Sequence, residues 1–451
     1  MRVLVITALA LVTACSTSEE PISDYVRCEV GVYRMPSGGI VDIGVSGSTQ
    51  LRWRTLDGRV GRLTRGDDDI WSGTSGWTTR DDPARIRLGD CADKSIEVAG
   101  IEGLDGRGSM MDFVTEDVRF EGAGVELAGR LVLPASNTAA PLAVLVHGSE
   151  DYSAIDYNSN QRLLPAQGVA VFVYDKRGTG TSNGSYSQDF ELLAGDAAAA
   201  HRAALRLAGD RVSYSGYLGG SQGGWVAPLA ATMSPASFVV AAYGMAEGPL
   251  AEDRDEVQLR LREAGFGETE LAKAREITDI TGRLLASDFE DGQDELAQVR
   301  AAYSEEPWFG LLEGGISWEM VSRPLWQFRI GYFFLDRGTS WEYEPVPVLE
   351  SLNASMLWVL AGQDRSAPST QTRRILTELQ AEGLPIDVAF FPETDHGIVR
   401  FIEDDDGERQ VLGYAQGYHE LLADWIKNGR LAQAYGSAEL TPRSTTSDSE
   451  S

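Results

Sequence analysis

The sequence predicts an α/β fold in which a mostly parallel sheet is flanked by helices, with a helical cap insertion and a small β-rich domain at the amino terminus. After about residue 115, six apolar strands alternate with helical runs, and near-continuous apolar strands are typical of a sheet covered on both faces. Between the fourth and fifth of these strands lies a segment too long for a simple connection and rich in helical runs. Before residue 110, short alternating runs separated by Gly, Asp and Ser indicate an all-β unit.

The α/β part of the chain divides into three segments. Residues 115–245 and 349–430 form the two parts of the sheet with its covering helices, and residues 246–348 form the helical cap. A hairpin at 118–120 and 125–133 precedes the six strands, which are predicted at 142–146, 169–174, 212–218, 238–243, 356–360 and 386–391. The tail at 432–451 is rich in Ser and Thr and is predicted to be disordered.

The first 14 residues have the features of an export signal. Met1 and Arg2 precede an apolar run that is too short to span a bilayer as a mature anchor. The sequence Val-Thr-Ala-Cys at 12–15 resembles the bacterial lipoprotein cleavage box, in which the cysteine, here Cys15, becomes the lipid-modified first residue. Since Ser16 follows rather than an Asp, the resemblance implies an outer-membrane anchor facing the periplasm. A plain secreted protein is the alternative.

A polar linker at 15–24 leads into the β-rich domain at 25–110, which is predicted as a small sandwich or barrel. Export implies an oxidising compartment, and apart from Cys15 the chain has only Cys28 and Cys91. We therefore predict that these two cysteines form a disulfide, which would stabilise the domain by about 4 kcal/mol because it closes a long loop in the unfolded chain. Three tryptophans are predicted to lie in the core of this domain: Trp53, Trp71 and Trp77.

The charge of the chain excludes one class of partner. Its 39 basic and 68 acidic residues give a formal net charge of −29, which repels phosphate backbones and argues against nucleic acid binding. With 451 residues, of which 43% are hydrophobic, the chain can bury a large core. The acidity is therefore interpreted as a solubility feature of a globular protein.

A candidate nucleophile, Ser221, lies in the pentapeptide Gly-Gly-Ser-Gln-Gly at 219–223, between a predicted strand and a run of small helical residues. A serine in such a turn is held with its hydroxyl exposed, and Gly219 and Gly223 allow the strand and the helix to approach closely. A second match to the pattern surrounds Ser182. Polar turn residues follow it, so Ser182 is interpreted as a loop serine.

The candidate base and acid also follow predicted strands. A serine hydroxyl needs an imidazole to take its proton and a carboxylate to orient that imidazole. His396, after the last strand, is the candidate base, and Asp364, after the fifth, is the candidate acid, with Asp395 as the alternative. The chain order Ser221, Asp364, His396 fits this arrangement. The other histidines are interpreted as structural: His147, His201 and His419.

Two backbone amides are candidates for an oxyanion hole, which binds the negative oxygen that forms when a carbonyl is attacked. One belongs to Gln222, next to the nucleophile, and the other to Ser149, in the turn after the first apolar strand. Gly148 permits a close approach in this turn, and His147 is expected to fix the turn by hydrogen bonding.

These motifs resemble the α/β-hydrolase superfamily over about residues 115–430. The matching positions are 147–149, 219–223, 362–364 and 395–397. The loop at 174–182 also looks like the corresponding loop of the serine aminopeptidase-like branch, which includes carboxylesterases and lipases with helical caps. The resemblance implies hydrolysis through an acyl-enzyme with no metal or organic cofactor, and the β-rich domain lies outside it.

Three functions are consistent with these features. The favoured one is a lipid-anchored carboxylesterase. A serine peptidase or aminopeptidase of the same fold is the alternative within this chemistry, and a non-catalytic binding lipoprotein is the alternative from another class. The expected partner is a small ester or a short peptide, and contact with the membrane is expected only through the amino-terminal lipid anchor.

Overall fold

The computed structural model describes residues 22–136, 138–312, 316–335, 338–405, 407–432 and 434–444. The predicted export signal and Cys15 lie outside these residues. A short helix, α1 (Asp24–Glu29), leads into a closed antiparallel barrel. Its strands are β1 (Gly31–Arg34), β2 (Ile40–Val45), β3 (Leu51–Arg54), β4 (Val60–Arg65), β5 (Trp71–Ser75), β6 (Arg85–Leu88), β7 (Ser95–Ala99) and β8 (Gly106–Met110).

The barrel has an apolar core of its own. Trp53 and Trp71 belong to it, as predicted, and are 5% and 1% exposed. The prediction for Trp77 was wrong: this residue is 38% exposed, and its ring packs under the guanidinium of Arg52 and against Tyr414. The difference arises because Trp77 lies in the turn after β5 and not on a strand, so its side chain is not directed into the barrel.

Two features hold the barrel together and in place. Cys28 of α1 and Cys91, in the loop between β6 and β7, form a disulfide, as predicted. Asp42 of β2 is fully buried and accepts hydrogen bonds from Arg162, outside the barrel, at 2.5 and 3.1 Å. Arg54 of β3 donates to the same carboxylate at 3.2 Å. A buried ion group therefore joins the barrel to the remainder of the chain.

The remainder of the chain, here called the α/β unit, is built on a mixed sheet. Its strands and those of a separate hairpin are β9 (Phe113–Glu121), β10 (Glu126–Pro134), β11 (Ala140–Val146), β12 (Ala170–Tyr174), β13 (Val212–Gly220), β14 (Phe238–Ala242), β15 (Ser355–Ala361), β16 (Ile386–Phe391), β17 (Val399–Glu403), β18 (Arg409–Tyr414) and β19 (Glu439–Thr441). The order in the sheet is β19-β16-β15-β14-β13-β11-β12-β10-β9, and β17 pairs with β18 alone. The six predicted apolar strands, β11 to β16, are parallel to their neighbours within this set. The predicted fold class is thereby confirmed.

The described part of the tail, residues 432 and 434–444, contains a strand, whereas the tail is predicted to be disordered. Strand β19 pairs antiparallel with the edge strand β16, and the backbone N–H of Arg443 donates to Asp387 at 2.7 Å. The open edge of β16 offers backbone hydrogen bonds to any extended segment, so the polar composition of the tail did not reveal this pairing.

Helices cover both faces of the sheet. In chain order they and the helices of the cap are α2 (Ala154–Tyr157), α3 (Asn160–Leu163), α4 (Phe190–Ala208), α5 (Gly223–Met233), α6 (Pro249–Glu263), α7 (Glu268–Ala286), α8 (Gln293–Tyr303), α9 (Ile316–Val321), α10 (Leu325–Leu335), α11 (Pro345–Glu350), α12 (Ser369–Ala381) and α13 (Tyr418–Asn428). Short 3-10 helices occupy Pro165–Gln167, Gly209–Arg211 and Phe309–Leu312. Helices α4, α5 and α12 pack on one face, and α2 and α13 pack on the other.

The insertion between β14 and β15 has a hydrophobic core of its own, to which α6 to α10 contribute. Both ends of the insertion contact helices of the sheet. At the first end, Trp225 Nε1 of α5 donates to the carbonyl of Glu247 at 2.8 Å, and at the second end the ring of Tyr343 packs edge-to-face against Phe190 of α4. Within the described part of the chain, no helix combines the length and apolar character needed to cross a membrane.

Candidate active site

Ser221 occupies the turn between β13 and α5, at the carboxyl edge of the parallel strands. Its φ of +54° lies in the left-handed region that L side chains rarely adopt, so the turn stores backbone strain. The Ser221 N–H donates to Ala242 O at 3.0 Å. A Cβ on Gly219 would overlap the carbonyl of Gly223, and one on Gly223 would lie 2.7 Å from Val146 O. Both positions therefore require glycine.

The structure brings Ser221, His396 and Asp364 into one line of hydrogen bonds. His396 Nε2 lies 3.0 Å from Ser221 Oγ, and His396 Nδ1 lies 2.9 Å from Asp364 Oδ2. Because a carboxylate only accepts, Nδ1 carries the ring proton, and Nε2 of the neutral ring is free to accept from the serine hydroxyl. Asp364 Oδ1 is held in turn by the backbone N–H groups of Ser366 and Ala367, at 3.0 and 2.7 Å.

The surroundings of His396 favour its protonated form. Burial lowers the pKa of His396, but the hydrogen bond and charge of Asp364, with the charges of Glu252 and Asp395, outweigh burial and raise the pKa overall. The Asp364 side chain is only 1% exposed, whereas that of His396 is 30% exposed. A raised pKa makes the imidazole a stronger base, which suits a group that takes a proton from a hydroxyl.

Asp395, the alternative acid, is directed to other partners. Its Oδ1 accepts from the backbone N–H of His396 at 2.8 Å and of Arg365 at 3.3 Å. Its Oδ2 pairs with Arg409 Nη1 at 2.8 Å. Asp364 is therefore the carboxylate that contacts the imidazole ring.

The turn that carries Gly148 and Ser149 lies beside the candidate nucleophile. A Cβ on Gly148 would lie 3.4 Å from Ser221 Cβ, so this turn passes directly by the serine. Among the described residues, the N–H groups of Ser149 and Gln222 have no protein acceptor. Unused amide donors next to a serine hydroxyl are what a developing oxyanion requires.

The other three histidines lie in structural environments. His147 Nε2 donates to the carbonyl of Tyr174, and burial, followed by the charge of Lys176, lowers its pKa to about 3. His201 lies between two serine hydroxyls at 2.9 and 2.7 Å, and burial lowers its pKa to about 4. His419 is buried against tyrosine rings, and its pKa is likewise lowered to about 4. All three are therefore neutral near pH 7.

Ser182, the second match to the serine pattern, ties a loop to a strand. Its hydroxyl donates to the carbonyl of Asp175 at 2.6 Å and accepts from the N–H of Ala128 in β10 at 2.9 Å. Neither of these contacts is with an imidazole, which agrees with the interpretation of Ser182 as a loop residue.

Four further side chains lie around the site, those of Tyr243, Glu252, Arg409 and Lys176. Tyr243 follows β14 with a φ of +42° and places its ring 5.1 Å from the His396 imidazole. Glu252, in the first turn of α6, is half-buried, and burial raises its pKa to about 8 against the opposing charge of His396. Arg409 contacts Asp395, and Lys176 contacts Gly148, as described below. Two of them have a signal in the sequence: Tyr243 and Lys176 each follow a buried strand, and Lys176 lies in the loop at 174–182.

Comparison with solved structures returns hydrolases at low sequence identity. An esterase of Pyrococcus furiosus is 13% identical, with a TM-score of 0.41, and the match covers 63% of this chain and 84% of that one. An esterase of Pyrobaculum calidifontis is 17% identical, with a TM-score of 0.41 and coverage of 70% and 86%. An acylaminoacyl peptidase of Pyrococcus horikoshii is 15% identical, with a TM-score of 0.39 and coverage of 79% and 52%.

Comparison with curated sequences returns no match. The model of the alpha/beta hydrolase family matches residues 143–410, which is more than half of the chain. The matched segment contains β12 to β16 and the positions of Ser221, Asp364 and His396. This chain therefore belongs to the alpha/beta hydrolase family.

Proposed function

We propose that the chain is a serine hydrolase that cleaves a carboxylic ester of modest size through an acyl-enzyme. The observation that supports this proposal is the line of contacts from Ser221 Oγ through His396 to Asp364. Ser221 is then the nucleophile, His396 the general base and acid, and Asp364 the group that orients the imidazole and stabilises its charged form.

The proposed reaction has two halves. In the first, His396 Nε2 takes the Ser221 proton while Oγ attacks the ester carbonyl, and the N–H groups of Ser149 and Gln222 donate to the resulting oxyanion. Nε2 then returns its proton to the leaving alcohol as the carbon–oxygen bond breaks. In the second half, water attacks the acyl-serine, loses its proton to Nε2, and releases the carboxylic acid and the free hydroxyl.

The nucleophile is tested by Ser221→Ala, with Ser182→Ala as the matched control. We expect Ser221→Ala to lower kcat for a short-chain aryl ester by at least about 10⁴-fold, since loss of a nucleophilic serine removes the covalent step. Labelling by a fluorophosphonate probe should also disappear, whereas Ser182→Ala should still be labelled. Normal turnover by Ser221→Ala would refute the assignment, and a folded wild-type protein that neither turns over nor is labelled would favour the binding lipoprotein.

Peptide hydrolysis is the second candidate, because the same groups attack an amide. The observation that favours it is Glu252, a residue of α6 in the cap whose charge raises the pKa of His396. Burial raises the pKa of Glu252 itself to about 8, and a protonated amine of a substrate beside it would favour its ionised form. A panel of esters of graded chain length beside aminoacyl and peptide anilides separates the two. Preference for an anilide with a free amino group, lost in Glu252→Gln, would favour the peptidase.

We also propose that the protein is anchored through Cys15 in the outer membrane and faces the periplasm. The cleavage box at 12–15 supports this location, and the disulfide between Cys28 and Cys91 fits an oxidising compartment. Cells fed labelled palmitate should incorporate it into the wild-type protein and not into Cys15→Ala. Equal incorporation in both would exclude this anchor.

A further inference from the structure

Lys176 is a buried cation next to the predicted oxyanion turn, and the proposed mechanism does not use it. It follows β12, is 2% exposed, and donates from Nζ to the carbonyl oxygen of Gly148 at 2.7 Å. The ammonium group also lies 4.7 Å from the centre of the Tyr186 ring. Neither of these two contacts of the ammonium group is with a carboxylate. An ammonium group buried without a counter-ion destabilises a fold unless something compensates for it.

The contact of Lys176 determines where one amide points. In a trans peptide, the carbonyl of one residue and the N–H of the next point in opposite directions. Because Lys176 holds the Gly148 carbonyl, the Ser149 N–H is directed away from the ammonium group. The next peptide is held too, since the Tyr186 hydroxyl donates to the Ser149 carbonyl. Lys176 and Tyr186 therefore hold both carbonyls of a turn that passes Ser221.

We propose that Lys176 is a positioning residue for the oxyanion hole, acting through the Gly148–Ser149 peptide. A cation on the carbonyl oxygen polarises the peptide and makes its N–H a stronger donor. The negative charge that develops on the substrate oxygen is then the charge that the buried ammonium group compensates. The inference rests on the proposed serine hydrolase function. It adds that the charge state of Lys176 should affect the rate of turnover.

The charge state of Lys176 depends on the groups around it. Burial lowers its pKa to about 8, while the carboxylates of Glu150 and Asp151 raise it. His147, on the same turn, is neutral because its pKa lies near 3, and Tyr186 presents its ring face. Lys176 is thus charged below about pH 8 and loses its charge above it. Turnover in the wild-type enzyme should therefore fall on the alkaline side of pH 8.

The test compares Lys176→Met and Lys176→Arg with the wild type and with Lys427→Met, a surface lysine of α13 that pairs with Asp424. We expect Lys176→Met to lower kcat by about 10- to 100-fold with little change in KM, less than the loss of a whole oxyanion donor. The fall in turnover above about pH 8, which is expected for the wild type, should be absent from Lys176→Met. Lys176→Arg should move this alkaline limb to higher pH, because a guanidinium stays charged there. Lys427→Met should match the wild type.

Two results would overturn the inference. One is an unchanged kcat in Lys176→Met, and the other is the same alkaline limb in Lys176→Arg as in the wild type, which would show that the lysine only fills space. If Lys176→Met does not fold, the position of the alkaline limb in the pH profile of Lys176→Arg decides between the two outcomes. Fluorophosphonate labelling separates this test from the proposed function. A labelled but slow Lys176→Met supports both, whereas a wild type that is neither labelled nor active refutes the function itself.

Discussion

Arg409 pairs with Asp395 at 2.8 Å, so the first residue of β18 contacts the residue beside His396. The same guanidinium donates to the carbonyl of Gln363, the residue before Asp364, and its side chain is only 8% exposed. It also lies 4.1 Å from the ring centre of Phe401 in the paired strand β17. One buried cation therefore joins the loops that carry the candidate base and the candidate acid.

The hairpin that carries Arg409 is also in contact with the barrel. The N–H of Trp77 donates to Val411 O at 2.7 Å, and the N–H of Tyr414 donates to Gly58 O at 2.9 Å. These backbone contacts explain why Trp77 lies at the barrel surface and not in its core. The amino-terminal domain thus supports, through the hairpin, the loops on which the proposed chemistry depends.

The first prediction concerns Arg409→Gln. Removing this cation leaves the negative charge of Asp395 without compensation, and that charge already raises the pKa of His396. The base must be unprotonated to act, so activity falls as pH drops through its pKa, and the acid limb of kcat/KM should move to higher pH. We also expect kcat to fall by about tenfold, because the loops lose a shared contact.

Arg374→Gln is the control for this experiment, since Arg374 is an exposed arginine of α12 whose described side-chain partners, Glu378 and Gln371, lie on its own helix. It should leave the pH profile unchanged. Arg409→Lys should restore the acid limb, because it keeps the charge. If the acid limb of Arg409→Gln coincides with that of the wild type, Arg409 has no electrostatic effect on His396.

The second prediction separates the two candidate acids. Asp364→Asn should lower kcat by about 10³- to 10⁴-fold, because an amide at this position no longer fixes the imidazole tautomer or stabilises its positive charge. Asp395→Asn should lower it by about tenfold or less, since Asp395 contacts the backbone and Arg409 but not the ring. Steady-state rates at pH 8 measure both. A larger loss in Asp395→Asn would reverse the assignment.

The sheet and the candidate triad could be predicted from the sequence because each depends on local signals. Every parallel strand is a short apolar run, and Ser221, Asp364 and His396 each follow such a run directly. Lys176 also follows an apolar strand, β12, but no local signal identifies the acceptor of Lys176 or of Arg409, because packing brings these acceptors to them. The contact of Lys176 spans 28 residues, and in a chain with 24% charged residues no local rule selects its partner. The prediction that Trp77 lies in the barrel core was wrong for a related reason, since its burial depends on whether it lies on a strand or in a turn.

The third prediction concerns the buried ion group between the barrel and the α/β unit. Asp42→Asn removes the counter-ion of Arg162 and Arg54, whose side chains are 10% and 7% exposed. The free energy of unfolding should fall by about 3 to 5 kcal/mol, because the guanidinium groups remain buried without compensation. Asp57→Asn, which breaks a pair in the same barrel at a half-exposed site, should change stability by less than about 1 kcal/mol. Similar urea midpoints for the two variants would contradict this account.

The fourth prediction concerns the disulfide between Cys28 and Cys91, which closes a separation of 63 residues and links α1 to the barrel. Replacing both cysteines with alanine should lower the free energy of unfolding by about 4 kcal/mol, because the unfolded chain regains the entropy of the open loop. Urea denaturation with and without a reductant measures this effect. Reduction should destabilise the wild type to the level of the double variant and leave the double variant itself unchanged. If reduction leaves the wild-type midpoint unchanged, the pairing contributes nothing to stability, and the barrel relies on its apolar core and on the buried group around Asp42.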